Sequence, residues 1–408
     1  MKPAGPMPAG FSDSGGVLRV GGRTVSELIA DAGDTPLFVY DRGTVDRKIA
    51  SFREAFGGGL ALHYAMKANP YAPLLEHIVG LVDGIDVASA GELKLALAAG
   101  AKPKHISYAG PGKRDDDLAE AIAAGVTLNC ESEGEAERAL KFAANAGKRL
   151  RIAVRVNPSF DIKGSGMRMG GGAKPFGIDA ERVPALVRRL LETNADWRGF
   201  HIFAGSQTLN AQAVIEAQAQ TLALAGRLAD LAGACPPLVN LGGGLGIPYF
   251  ANDAAIDLRS VASSLVRNLK DRPQSLANTD FALELGRWLV GEAGVYFCRV
   301  VDRKLSHCKL FLVTDGGIQH QLAASGNFGQ VIRRNFPVAN ATRWGQPASE
   351  AATVVGCSCT PLDILADDVV LPRTEIGDVI AVFMAGAYGL TASPQAFLTQ
   401  RPAHEIMV

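Results

Sequence analysis

Between residues 60 and 130 the chain alternates two textures at a nearly constant interval. The apolar runs LALHYAM leading into Lys67, GIDVAS ending at Ser89, HISYAG ending at Gly110 and VTLNCE ending at Glu131 finish about 21 residues apart. Between them lie GELKLALAAG, DDDLAEAIAAG and SEGEAERALKFAANAG. These carry apolar residues at helical spacing and a glycine where a helix C-cap belongs. The alternation continues more loosely through RIAVRVNP, GFHIFAGSQ, LVNLGGGLG and FALELGR, which makes eight strand candidates with helices between them. Strands alternating with helices predict a parallel sheet. Eight such units predict an α/β fold of the closed (β/α)8, TIM-barrel type over residues 37–285. An open doubly wound sheet is the alternative, but GGGLGIP does not fit the G-x-G-x-x-G spacing of a dinucleotide fold. From residue 286 the texture changes. AGVYFCRVVDRKL, CKLFLVTDGG, EAATVVGCS and DVIAVFMAG read as strands joined by turns, and GGVLRVGGRTV near the start reads the same way. Residues 1–36 and 286–408 are therefore expected to form a mostly antiparallel, β-sandwich or Greek-key-like domain.

Composition narrows the class. Almost half of the 408 residues are apolar, enough for a large core without staples. The 41 basic and 41 acidic residues balance, and no basic tract with interleaved aromatics is present, so neither nucleic acid nor an acidic membrane is an expected partner. The opening MKPAGPMPAGFSDSGG has no apolar core of a secretory signal, and no apolar run approaches the length of a membrane span. The six cysteines are scattered, with only Cys357 and Cys359 close, in C-x-C. No metal-ligand spacing is present, and the expected compartment is the cytoplasm.

In barrels of this type the chemistry gathers at the C-terminal ends of the strands. The first strand leads to Lys67, where an apolar setting would turn a lysine into a Schiff-base nucleophile; an ordinary lysine snorkelling at the rim gives the same pattern. The sixth strand brings His201 and, in AGSQ, Ser206. A core histidine and a turn serine are the plainer readings of these two. The seventh ends in Gly242, Gly243 and Gly244, which let backbone N–H groups approach a phosphate or simply make a turn. The eighth carries Glu284, a carboxylate needing a partner such as a protonated pyridine nitrogen or Arg287.

HYAMKANP, DVASAGE, SYAGPGK, ESEGE, FHIFAGSQ, NLGGGLGIPY, ELGRWLVGEAG, GCSCTPLD and GAYG, in this order over nearly the whole chain, resemble the fold-type III decarboxylases that act on diaminopimelate, ornithine and arginine. HQLAASGNFGQVIRRNFPV is similar to the diaminopimelate-decarboxylase-like proteins of exosortase-associated gene clusters. The resemblance implies an alanine-racemase-like architecture, the cofactor pyridoxal 5'-phosphate and a homodimer with shared active sites. It implies that Lys67 forms the internal aldimine and that His201 stacks on the ring. Asp86, Ser206, Gly242, Gly243, Gly244, Arg287 and Tyr388 would complete the cofactor site, with Glu284 at the pyridine nitrogen. The expected reaction runs through an external aldimine and a Cα carbanion, which Cys359 of the partner subunit protonates.

Three departures bear on the substrate. The family's E-P-G-R reads ELGR here. The acid that commonly follows the catalytic cysteine, and helps bind a distal amine, is Thr360. The R-P-x-L-Y segment that helps hold a distal carboxylate reads SGNF around Ser325–Phe328, without its arginine. Thr360, Asp363 and Arg168 are the candidate substrate contacts, Arg168 as a substitute anion reader in the loop KGSGMRMGGGAK. The substrate is expected to be a small amino acid, with one joined to a carrier protein as an alternative to a free one. Two rival functions stand beside this one. An amino-acid racemase places an arginine at the pyridine nitrogen, against Glu284. A non-catalytic cofactor-binding barrel lacks the β domain with its Cys and Tyr motifs.

Overall fold

The computed structural model describes residues 1–13, 16–162, 164, 166–330 and 332–408, with only the backbone described at 12, 13, 167 and 168. Eight strands form a closed parallel ring: Ala61–Ala65, Gly84–Val87, Ile106–Tyr108, Thr127–Cys130, Arg151–Asn157, Asp196–Ile202, Leu238–Asn240 and Asp280–Leu285. The eighth pairs with the first, and the fourth with the fifth, so no edge is left within the ring. A two-residue strand, Ile178–Asp179, lies beside the fifth.

The sequence period is the register of this sheet. His63 lies opposite Gly84 and Ile85 opposite Ile106, each an offset of 21 residues, and Ser107 opposite Thr127. Each unit of the repeat is thus one strand, one helix and one step around the ring. The helix starts repeat as well: Ser89 accepts from the Glu92 N–H and Ser132 from the Glu135 N–H, satisfying amides the first turn leaves open. Gly125 ends the Asp115–Ala124 helix in the left-handed conformation that glycine adopts without strain.

The second compact unit comprises Met1–Lys48, Ile247–Ala255 and Arg287–Val408, and the barrel unit comprises Ile49–Gly246 and Ile256–Gly286. The boundary expected at residue 37 therefore falls later. Leu37–Tyr40 pairs antiparallel with Gly294–Ser306 and belongs to the other sheet, because its four residues are buried as a sheet-centre strand. That sheet has eight strands, with five antiparallel and two parallel pairings among the described residues. Four of them, Leu37–Tyr40, Val338–Asn340, Ile364–Leu371 and His404–Met407, were not expected as strands of this domain. The GGVLRVGGRTV segment forms a hairpin, Leu18–Val20 with Arg23–Thr24, in a separate small sheet. Its Leu18 and Val20 join Leu37, Val39, Val295, Phe297 and Phe383 in the core of this unit.

Candidate active site

At the C-terminal end of the ring, Lys67 sits in the short 3-10 turn Met66–Ala68 that follows the first strand. Its Nζ lies 3.7 Å from Glu284 Oε1 and 5.4 Å from the centre of the Phe203 ring. The lysine is not desolvated as expected. Its side chain is 43% exposed, because the turn lifts it off the strand and over the mouth.

Glu284 and His201 are both buried on their strands, and His201 Nε2 lies 2.8 Å from Glu284 Oε2. Burial alone would raise the Glu284 carboxyl. The charges of Lys67, His201 and Arg155 outweigh it and hold the group far below the ordinary carboxylate range. The partners of Glu284 in this structure are thus His201 and Lys67. His201 Nδ1 is buried without a hydrogen-bond partner among the described residues.

The loops after the sixth and seventh strands are zipped together. The Thr208 N–H donates to the Gly244 carbonyl, and the Gly246 N–H to the Thr208 carbonyl. This sets Ser206, in the short strand Gly205–Ser206, alongside the triple glycine. A Cβ at Gly243 would lie 2.1 Å from the Glu284 carbonyl oxygen, so only glycine lets this loop cross the eighth strand. Gly242 and Gly244 take positive φ, 73° and 106°. Among the described residues the N–H groups of Gly243 and Gly244 donate to no protein acceptor. Open amides, a neighbouring serine and a close backbone approach fit a phosphate.

Asp86, on the second strand, has a partner that sequence reasoning missed. His63 Nδ1 lies 3.4 Å from its Oδ1, and both side chains are buried. Burial would lower the His63 pKa, but Asp86, and then Glu284, raise it above the ordinary value. Room for the ring comes from Gly84, where a Cβ would lie 2.6 Å from His63 Nε2. The repeat places 63 beside 84 on neighbouring strands, but not the direction in which the imidazole turns. Two quoted motifs also prove to be staples of this end. Glu131 of ESEGE accepts from Arg155 Nη1 at 2.7 Å and from the Gly110 and Gly177 N–H groups. Lys113 of SYAGPGK is buried and donates to the Gly110 and Asn129 carbonyls and to Glu135.

The remaining candidates lie in the second unit. Arg287 Nη1 lies 2.8 Å from the Tyr249 hydroxyl, and its guanidinium 4.6 Å from the centre of the Tyr388 ring. Burial pushes the Tyr249 hydroxyl up despite the arginine beside it. Tyr388 has φ 53°, a strained conformation for a tyrosine. Cys359 is an exposed free thiol. Thr360 turns inward on its own loop, its hydroxyl accepting from the Leu362 N–H at 3.3 Å. Asp363 is 2% exposed and accepts from the Ile318 and Ser358 N–H groups. It braces the Cys359 turn and presents no free carboxylate oxygen to a substrate. Ser325 is likewise buried, donating to the Leu322 carbonyl. Arg333, which sequence reasoning passed over, donates to the Leu362 carbonyl at 3.4 Å, as does Asn327 at 3.2 Å. Arg168 pairs through its backbone with Gly205, and its side chain lies outside the described residues.

Residues 42–291 match the family model described as the pyridoxal-dependent decarboxylase, pyridoxal binding domain. The chain belongs to this family. It is 32% identical, over 92% of its length and 89% of the relative's, to the L-glutamyl-[BtrI acyl-carrier protein] decarboxylase of Niallia circulans. It is 34% identical, over 94% and 90%, to the diaminopimelate decarboxylase of Archaeoglobus fulgidus. Among solved structures, the diaminopimelate decarboxylase of M. jannaschii in co-complex with L-lysine superposes with a TM-score of 0.89, covering 98% of this chain and 93% of that one at 25% identity. The protein is thus a pyridoxal-phosphate-dependent amino-acid decarboxylase, a carboxy-lyase, and the barrel with its largely antiparallel companion sheet is the architecture of the family. No helix among the described residues is long and apolar enough to cross a membrane.

Proposed function

We propose that this enzyme decarboxylates an amino acid whose side chain is joined to a carrier protein, in preference to free meso-diaminopimelate, lysine or ornithine. The observation that carries this reading is the turn at Cys359. Thr360 replaces an acid and spends its hydroxyl on the Leu362 N–H. Asp363 is committed to two backbone amides. Ser325 stands where an arginine would read a distal carboxylate, and Arg333 is engaged with the Leu362 carbonyl. Arg333 keeps its positive charge, so the end left unmatched is a distal ammonium, which would enter this region without a free carboxylate to receive it, a cost of several kcal/mol. A neutral thioester or amide link has no such need. The relative that acts on an L-glutamyl unit of an acyl-carrier protein supports the same reading.

In this proposal the cofactor, when bound, supplies the sink for the electron pair that CO2 leaves on Cα. The chain's own residues do the rest. Lys67 tethers the cofactor, and the amides of Gly243 and Gly244 with Ser206, Arg287 and Tyr388 hold its phosphate. Glu284, which His201 and Arg155 help to keep ionised, would hold a proton on the pyridine nitrogen. His201 buttresses Glu284 and would stack on the ring, and Asp86, paired with His63, would complete the cofactor contacts. Cys359 delivers a proton to Cα. The six cysteines are all free thiols, as suits a cytoplasmic enzyme.

Steady-state kinetics test the substrate. A kcat/KM for free meso-diaminopimelate above about 10⁴ M⁻¹s⁻¹ would overturn the carrier-linked reading and leave the decarboxylase standing.

The active form we infer is a homodimer in which Cys359 serves the partner's barrel. Leu362 on this turn is 53% exposed, and Phe328 and Ile332, on the loop whose Asn327 and Arg333 bond the Leu362 carbonyl, are 42% and 77% exposed, apolar surface suited to a second copy. Mixing inactive Lys67→Ala and Cys359→Ala subunits should restore about a quarter of the activity, since random exchange leaves one intact site in half of the dimers. Verified exchange without recovery assigns the thiol to its own subunit.

A further inference from the structure

The barrel has a second mouth. At its N-terminal end a cavity of about 820 Å³ is lined by the opening residues of the strands, among them Ala61, Gly84, Thr127, Arg151, Leu238 and Asp280. This volume falls in the range of small-molecule sites. This end of such barrels is ordinarily given over to stability, yet its charges are poorly balanced here. Arg53 is matched by Asp83 at 2.6 Å. Arg151 and Arg198 share the single carboxylate of Asp196, at 3.3 and 3.6 Å. Lys102 and Lys104, on the turn leading into the third strand, line the same cavity, and Asp280 is the other carboxylate there.

The strain is visible atom by atom. Among the described residues, Arg151 Nε is buried with no hydrogen-bond partner. Its two Nη atoms reach Asp196, the Lys104 carbonyl and the Thr127 hydroxyl, all at 3.3–3.4 Å. Burial, and then the neighbouring Arg198, pull the Arg151 guanidinium below its ordinary value. Burial, then Lys104 and Lys102, do the same to His105. Like charges held together at the wall of a cavity, with too few carboxylates to match them, are what an anion in that cavity would relieve.

We propose that this mouth binds a small multivalent anion, phosphate or a di- or tricarboxylate, between Arg151 and Arg198 within and Lys102 and Lys104 at the rim. Planar guanidinium groups suit bidentate contact with either ligand, and the exposed lysines add charge without fixed geometry. The site stands apart from the decarboxylation chemistry and does not depend on the identity of the substrate.

Calorimetric titration of the cofactor-loaded enzyme with inorganic phosphate and, separately, with citrate tests it, at constant ionic strength in KCl. Loading the cofactor keeps the free anion out of the phosphate cradle at the other end. Saturable binding of at least one anion is expected, and the preferred one tells whether the site takes phosphoryl or carboxylate groups. Arg198→Gln and the double variant Lys102→Gln/Lys104→Gln should each weaken it about tenfold or more, with cofactor absorbance unchanged. No saturable binding of either anion, or wild-type affinity retained in both variants, overturns the proposal. Should Arg198→Gln fail to fold, the double lysine variant decides alone, because both side chains are exposed.

Discussion

The two units of this enzyme place functional side chains in different ways. In the barrel the groups are charged, largely buried and fixed by strand register. Glu284, His201, Asp86, His63 and Arg155 all lie on strands; the Glu284–His201 and His63–Asp86 pairs join strand to strand, while Lys67 and Glu131 meet Glu284 and Arg155 from just beyond strand ends. In the second unit Cys359, Thr360 and Asp363 sit on a turn, held by backbone amides and carbonyls. Register is rigid and repeats around the ring, so it suits chemistry common to a family. A turn can change one residue without disturbing a sheet, so it suits the choice of substrate. Substitutions in the barrel should therefore change rate or stability, and substitutions on the turn should change selectivity.

The largest effect expected is at Lys67. Lys67→Ala should lower kcat/KM by more than about 10³-fold, and borohydride should no longer fix the cofactor to the peptide containing residue 67. Reduction that labels another lysine in the wild-type protein would break the assignment of this mouth.

Next comes the register-fixed pair beneath it. His63→Leu leaves Asp86 buried without its cation and should cost about 3–5 kcal/mol of stability, read from urea unfolding near pH 6. The pH dependence has a definite sign. The folded-state pKa of His63 is raised, so the stability from its charged form is fully present below the ordinary value of 6.5. It is lost as pH rises through the folded value. The gap between wild type and variant should narrow above neutral pH, and a gap that widens there would mean that the imidazole is neutral in the fold.

The smallest effect sharpens the comparison most. Thr360→Glu should improve kcat/KM for lysine, ornithine or diaminopimelate by about tenfold, with little loss of stability, because residue 360 is only partly buried on a turn. Equal improvement for monocarboxylic amino acids without a distal amine would show that the turn does not read the substrate's far end.

What could be read in advance follows the same division. The strand–helix alternation, regular at about 21 residues through the first four units and looser through the last four, pointed to a parallel sheet by itself, because each unit must bury one strand and cover it with one helix before the next can pair. The eight barrel strands were all legible for that reason. So were Lys67, His201, the triple glycine and Glu284, since a polar residue closing an apolar run marks a strand end. Leu37–Tyr40 fell inside the bounds drawn for the barrel because a short apolar strand carries no mark of its partner; pairing with Gly294–Ser306 is a contact across more than 250 residues of chain. The partners of the charged groups were also beyond the sequence. That Glu284 meets His201, that His63 turns over Gly84 to reach Asp86, and that Asp363 faces backbone amides all depend on which way side chains point once the sheet has closed. Local pattern specifies which residues lie on a strand and where it ends. Only the closed register decides which charges are brought together in the low-dielectric interior, and hence which carboxylates stay ionised.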